Sequence, residues 1–252
     1  MIRSIDLNAD LGESFGHWQL GDDDAVLALV SSANIACGFH AGDPLVMQQT
    51  VQRCRQHGVA IGAHPALPDL QGFGRRLMQV SAAEAYAFCV YQIGALQGFA
   101  RAVGCTVRHV KPHGALYNMA MRDPALAQAI AQATRDSAVT TLVGLPGSAL
   151  HQAAHPLQLN FCAEGFADRR FQDDGSLLPR TAADAVITDA GQAIAQALQM
   201  VLHGTVTTTS GATLAVELDT LCVHGDGDAA VQLLTRLRQA LIAHGLEIGC
   251  TE

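Results

Sequence analysis

Six short apolar runs in this 252-residue sequence stop at residues able to move protons or hold cations. The run 5–9 contains Asn8 and leads into Asp10, Glu13 and Ser14; the run 33–37 contains Asn34 and leads into His40 and Asp43. His64 and Asp69 follow 60–63, Lys111 and His113 close 109–111, Glu164, Asp168 and Arg169 follow 159–163, and His224 and Asp226 follow 220–223. A seventh run, 141–145, ends in Gly144-Leu145-Pro146-Gly147 and carries no ionisable group. Acids, imidazoles and an amine suit proton transfer with stabilisation of an oxyanion. The same set suits a divalent metal held by Asp and two or three His.

Taken singly, each residue has an ordinary explanation. An Asp beside a strand end commonly caps the next helix, which is the reading for Asp43 and Asp228. A lone His beside an apolar run is commonly a satisfied buried group. Recurrence argues otherwise. Four of the eleven His (40, 64, 113 and 224) follow four different runs, in a chain with only 15% charged residues. Scattered titratable groups of this kind point to one shared pocket.

The elements that must position them are legible from periodicity and punctuation. Asp43-Pro44 opens a helix that Gly58 stops; Ser81 and Glu84 form a capping box for a helix reaching about Val103. Asp123-Pro124, Asp189 and Asp228 open three more, and the acids 22–24 precede a short helix at 25–30. The apolar runs between them read as parallel strands in βαβ units, with 185–188 as a weaker eighth. All carboxyl ends of parallel strands lie on one face, so the polar groups that follow them converge there. The expectation is one α/β domain over residues 1–252, a β/α barrel of seven or eight strands, with an open doubly wound sheet as the alternative.

Composition narrows the function. Hydrophobic residues make up 49% of the chain and the formal net charge is −8, which suits a large core and argues against a nucleic-acid footprint. The seven Cys are scattered and never spaced Cys-x-x-Cys, so they read as small buried hydrophobes in a reducing compartment. The opening residues lack the apolar stretch of a signal peptide and no run reaches membrane-span length, so a cytoplasmic protein is expected. There is no P-loop, no Gly-x-Gly-x-x-Gly after the first strand and no Gly-x-Ser-x-Gly elbow. In the loop Gly72-Phe73-Gly74-Arg75-Arg76, one of the two guanidiniums is placed to grip a carboxylate.

At the blocks DLNADLGESFG, SANIACGFHAGDP, GAHPALPDLQGFGRR, HVKPHGALYN, FADRRFQDDGSLLPR and CVHGD, the chain resembles the LamB/YcsF family. The blocks keep family order and span about nine-tenths of the chain. The resemblance implies a barrel similar to the glycoside hydrolase/deacetylase superfamily. It also implies ATP-dependent opening of the lactam of 5-oxo-L-proline to L-glutamate, carried out with the 5-oxoprolinase subunits B and C. With no P-loop here, ATP would be handled largely by those partners. A lactam is a stable amide, and phosphorylating its oxygen would activate it.

On that reading Asp10 or Glu13 is the base on water, and Lys111 and His113 stabilise developing negative charge. His40, His64 and His224 orient water and protonate the ring nitrogen, and Arg75 or Arg76 holds the substrate carboxylate. Asn8, Ser14, Asn34, Glu164, Asp168, Arg169 and Asp226 complete the expected substrate site. Single Ala replacements of Asp10, Lys111 or His113 are expected to spare folding. Two competing readings are a stand-alone metal-dependent deacetylase or amidohydrolase, and a non-catalytic scaffold protein of the complex.

Overall fold

A computed structural model of the chain describes residues 4–223 and 228–250. Six strands come first: β1 (Ser4–Leu11), β2 (Ser32–Ala36), β3 (Ala60–His64), β4 (Val107–Val110), β5 (Thr141–Gly144) and β6 (Asn160–Phe166). A small antiparallel hairpin, β7 (Thr205–Thr207) and β8 (Thr213–Ala215), precedes β9 (Thr220–Cys222). Strands β1 to β6 pair in sequence order, all parallel, and β9 pairs with both β6 and β1, closing a seven-stranded barrel. A last short strand, β10 (Glu247–Ile248), adds to the start of β1.

The helices are α1 (Asp23–Leu27), α2 (Pro44–His57), α3 (Ala82–Ala102), α4 (Gly114–Ala120), α5 (Pro124–Asp136), α6 (Ala149–Ala154), α7 (Ala190–His203) and α8 (Asp228–Ala243). Their ends follow local chemistry. The Asp43 carboxylate accepts from the N–H groups of Leu45 and Val46, Pro44 sits in the first turn, and Gly58 ends α2 in the left-handed region at φ 69°. Ser81 and Glu84 form both halves of the capping box of α3. The Asp123 carboxylate accepts from the N–H groups of Ala125 and Leu126 at the start of α5, and that of Asp189 from the Gln192 N–H at the start of α7. The capping role expected of Asp228 lies outside the described side chains.

Strand β1 explains the architecture. In SIDLNADL, Ile5, Leu7, Ala9 and Leu11 join the apolar layer under the helices, with Leu96, Ile93 and Leu116 of α3 and α4. A fully buried Leu or Ile contributes about 1.5–3 kcal/mol there. Asp6, Asn8 and Asp10 alternate with them and face the barrel interior, as the two-residue strand period requires. β/α barrels usually fill the interior with branched apolar residues. Here the interior is polar and the apolar core is the layer between strands and helices.

The segment 185–188 is not a barrel strand. Val186 makes an isolated bridge with Arg169, and the Ile187 N–H donates to the Asp168 carbonyl, so the segment folds over the loop after β6. The β6–β9 pairing has already closed the ring and leaves no edge for an eighth strand. Helices α4 and α6, both short, were not anticipated from periodicity. Among the described residues no helix is long and apolar enough to cross a membrane.

Candidate active site

The carboxyl end of the barrel opens into a cavity of about 640 Å3, with Asp10, Glu13, His64, Lys111 and His113 on its polar wall. Each is placed by a strand end. Asp10 lies in register with Asn34 of β2, His64 is the last residue of β3, and Lys111 and His113 follow β4 directly. Two loops are then clamped together: the His113 N–H donates to the Pro65 carbonyl at 2.8 Å, and the Ala115 N–H to the Gly74 carbonyl at 2.8 Å. Gly74 has φ +63°, and a Cβ there would meet His40 Cβ at 2.8 Å and His113 Cδ2 at 2.9 Å, so no side chain fits. His40 stacks flat on His113, ring centroids 3.8 Å apart.

Backbone carbonyls set the histidine tautomers. His64 Nδ1 lies 2.7 Å from the Lys111 carbonyl and His113 Nε2 lies 2.9 Å from the Phe73 carbonyl. A carbonyl only accepts, so these two nitrogens carry the ring protons. In neutral rings the remaining nitrogens, His64 Nε2 and His113 Nδ1, then face each other as lone pairs at 3.0 Å. Carboxylates surround them: Asp10 Oδ2 is 3.2 Å from His64 Nε2, and Glu13 Oε1 is 3.1 Å from His40 Nε2 and 3.8 Å from His113 Nδ1.

Such an array is repulsive unless a proton or a cation sits within it. Glu13, His40, His64 and His113 offer ligand atoms that all lie within 4.8 Å of one another. That span fits one small divalent ion with bonds of about 2.0–2.2 Å to N and O. Anchoring the far imidazole nitrogen on a carbonyl is the usual support for a metal-binding His. His40 Nδ1 is buried and has no hydrogen-bond partner among the described residues. The residues present therefore fit a metal.

Lys111 is 2% exposed and anchors the opposite side of the cluster. Its Nζ lies 2.6 Å from Glu164 Oε1 and 3.2 Å from Asp10 Oδ1, and it donates to Asn8 Oδ1 at 3.1 Å. Burial alone would lower the Lys111 pKa, but the charges of Asp10 and Glu164 outweigh it and hold the amine well above its ordinary value. Tyr117, from α4, donates its hydroxyl to Glu164 at 3.0 Å.

The other expected residues divide. Arg75 lines the cavity with its guanidinium over the Phe73 ring, 4.8 Å from the centroid. Arg76 instead pairs with Asp69 away from the cavity lining. Asn8 and Asn34 lie inside the barrel, beneath Asp10. Ser14 organises its own loop: its hydroxyl accepts from the Leu20 N–H and its carbonyl from the Gly42 N–H. Glu164 is fully buried as the partner of Lys111, and Asp168 is buried at the β6 loop.

Arg169 lines the cavity while donating to the Leu178 and Ala185 carbonyls, and burial pulls its pKa to about 10. His224 and Asp226 lie outside the described residues. Tyr117, Arg122, Phe166 and Arg180 line the cavity without having been singled out from the sequence. Tyr117, Phe166 and Arg180 belong to two of the family-like blocks, and that membership was the one signal pointing to them.

Three buried imidazoles set a pH dependence of the metal-free protein. Burial, reinforced by neighbouring positive charge, holds His40 and His113 well below 6.5 and His109 at about 3. Folding favours their neutral forms, so this stability is present above the unfolded imidazole value and is lost as pH falls below it. Asp6, raised by burial, acts in the opposite sense. Net uptake of about two to three protons on unfolding, or about 3–4 kcal/mol per pH unit, is expected between pH 6 and 5. Urea unfolding across that window measures it; an uptake below one proton would contradict the neutral buried state.

Fold and cluster together define a class: a β/α barrel carrying an acid–imidazole–amine site at the carboxyl ends of its strands. The chain belongs to the LamB/YcsF family, whose model matches residues 5–252. Among curated relatives it is similar to the A subunit of 5-oxoprolinase from Bordetella parapertussis, 56% identical over 98% of this chain and 99% of that protein. The Geobacillus kaustophilus protein of the same name is 54% identical over 98% of this chain and 96% of its own length. The crystal structure of a lactam utilization protein from Thermus thermophilus superposes with a TM-score of 0.92 at 44% identity, covering 98% of this chain and 100% of that one. A T48 deacetylase (TM-score 0.51, 12% identity, 99% of this chain and 88% of that one) shares the fold alone.

Proposed function

We propose that this chain opens the lactam of 5-oxo-L-proline to L-glutamate, as a single-domain cytoplasmic protein working with 5-oxoprolinase subunits B and C at the expense of ATP. One observation carries the reading. Asp10, Glu13, His64, Lys111 and His113 meet in a single cavity at the barrel rim, in a chain more than half identical to curated relatives named as the A subunit of 5-oxoprolinase. ATP binding falls to the partners, and the lactam arrives with its carbonyl oxygen activated by phosphorylation.

Water then adds to the carbonyl carbon while Asp10 or Glu13 takes its proton. Lys111, held protonated by its carboxylate neighbours, stabilises the negative charge that develops on oxygen. The C–N bond breaks as the ring nitrogen takes up the proton removed from water, and a second water hydrolyses the resulting acyl phosphate to L-glutamate and inorganic phosphate. Arg75 holds the substrate carboxylate. A divalent ion bound by Glu13, His40, His64 and His113 would supply Lewis acidity at the carbonyl. The same four residues favour a second reading, a stand-alone metal-dependent amidohydrolase.

Glutamate release from 5-oxoproline, by this chain alone and with B and C, with and without ATP, separates the two. Turnover only in the complete mixture with ATP is expected; turnover by the isolated chain without ATP would establish the second reading. Within the complex, Arg75→Ala should raise KM roughly ten- to a hundred-fold with kcat little changed, since a carboxylate grip acts in ground and transition states alike. Unaltered KM would remove Arg75 from substrate binding.

A further inference from the structure

The N-terminal end of the barrel holds a second cavity of about 360 Å3, and Asp6, Asn8, Ser32, Asn34, His109 and Thr220 are in its wall. Nothing in the ring-opening chemistry uses Asp6, yet it is 4% exposed and accepts three hydroxyl hydrogen bonds. Ser31 donates to Oδ1 at 2.6 Å, and Ser32 and Thr220 to Oδ2 at 2.8 and 2.5 Å. The contacts continue upward. Asn8 Nδ2 donates to Thr220 Oγ1 at 2.7 Å, and Asn8 Oδ1 accepts from Asn34 Nδ2 at 2.7 Å and from Lys111 Nζ at 3.1 Å. Asn34 Nδ2 also reaches Asp10 Oδ1 at 2.9 Å, and His109 Nε2 lies 2.8 Å from Asn34 Oδ1.

Donor and acceptor chemistry gives this column one direction. An ionised Asp6 only accepts, so the Thr220 proton points to it and the Thr220 oxygen is left to receive Asn8. The Asn8 amide is thereby turned with its oxygen toward Lys111, an ammonium that only donates. Reversing the amide would set Asn8 Nδ2 against both Lys111 Nζ and Asn34 Nδ2, donor against donor. Gly62 leaves the room the column needs: a Cβ there would lie 1.9 Å from His109 Nε2.

We infer that Asp6, acting through Thr220 and Asn8 from the opposite end of the barrel, is a positioning residue for Lys111 and Asp10. The inference rests on the proposed role of Lys111 in ring opening. Asn8 and Asn34, expected from sequence to touch substrate, serve here as the links of that column.

Thr220→Val removes the hydroxyl at nearly constant volume, Thr220→Ser keeps it, and Asp6→Asn removes the acceptor at the foot. In the complex with B and C and ATP, Thr220→Val and Asp6→Asn should each lower kcat about tenfold, KM changing less than twofold, while Thr220→Ser stays within twofold of wild type. The double variant of Asp6→Asn and Thr220→Val should lose no more than either single one, because both break the same column. A merely structural role would not lower kcat at nearly constant KM, nor would the conservative Ser replacement alone restore it.

Lys111→Met is measured alongside. If it is inactive while Thr220→Val matches wild type in kcat, the column does not position the site and the inference alone is wrong. If Lys111→Met retains turnover, the proposed role of Lys111 fails and takes the inference with it.

Discussion

Lys111→Met should lower turnover of the complex roughly a hundred- to a thousand-fold, the usual consequence of removing one preorganised donor from a developing oxyanion. It should also destabilise the fold, by about 3–5 kcal/mol at neutral pH, because it strips the cation from a buried pair. Among the described residues Glu164, which has no exposed surface, would keep only the Tyr117 hydroxyl, while Asp10 would lose the ammonium 3.2 Å away. This revises the expectation that Lys111 can be replaced without touching the fold.

The sign of the pH dependence separates this account from a packing defect. A carboxylate buried without its cation costs stability only while it is charged. The variant's deficit is then largest well above the unfolded carboxylate value and shrinks as pH falls. Urea unfolding at pH 7.5 and pH 5.5, each variant against wild type, reads the difference. An equal deficit at both values would mean that lost methylene packing, not an orphaned charge, is responsible.

The second large effect concerns the cation that the His64–His113 pair invites. Protein purified without added metal should carry about one divalent ion per chain by elemental analysis, and His64→Ala and His113→Ala should each abolish its retention. Chelation should lower the Tm of wild type and leave the Tm of those two variants unchanged, since an ion at a hundred times its Kd contributes about 2.7 kcal/mol. Retention should weaken as pH falls, because protons compete for the same lone pairs. A wild-type Tm indifferent to zinc, manganese and chelator would leave a shared proton as the cation at this position.

Local chemistry was the most legible part of the chain. Asp43-Pro44 and the Ser81/Glu84 box dictate helix starts through hydrogen bonds a few residues long, and the structure has them where the sequence puts them. Long-range register was harder. From sequence, Asn8 and Asn34 are polar residues near a pocket; only the pairing of Asp10 with Asn34, and of Asn8 with Cys222, places both amides below the pocket floor. Arg75 and Arg76 are adjacent and chemically equal, and the difference between them is Asp69, seven residues upstream of Arg76, which captures one guanidinium. Strand propensity misled at 185–188, whose backbone partners lie in a loop. Tyr117 carried no signal of its own in the sequence, and its role rests on Glu164 lying opposite its hydroxyl.

Ring closure by β9 has a consequence for synthesis. Thr220–Cys222 must leave the ribosome before the first and sixth strands acquire their common neighbour. Until then the nascent chain can form at most an open sheet with two bare edges, available to strands of other molecules. Its inward carboxylates and amides meanwhile stay hydrated at no energetic cost. Arrival of β9 seals those edges and brings the inward polar groups into their common network, so assembly of the interior and protection from aggregation are one late event.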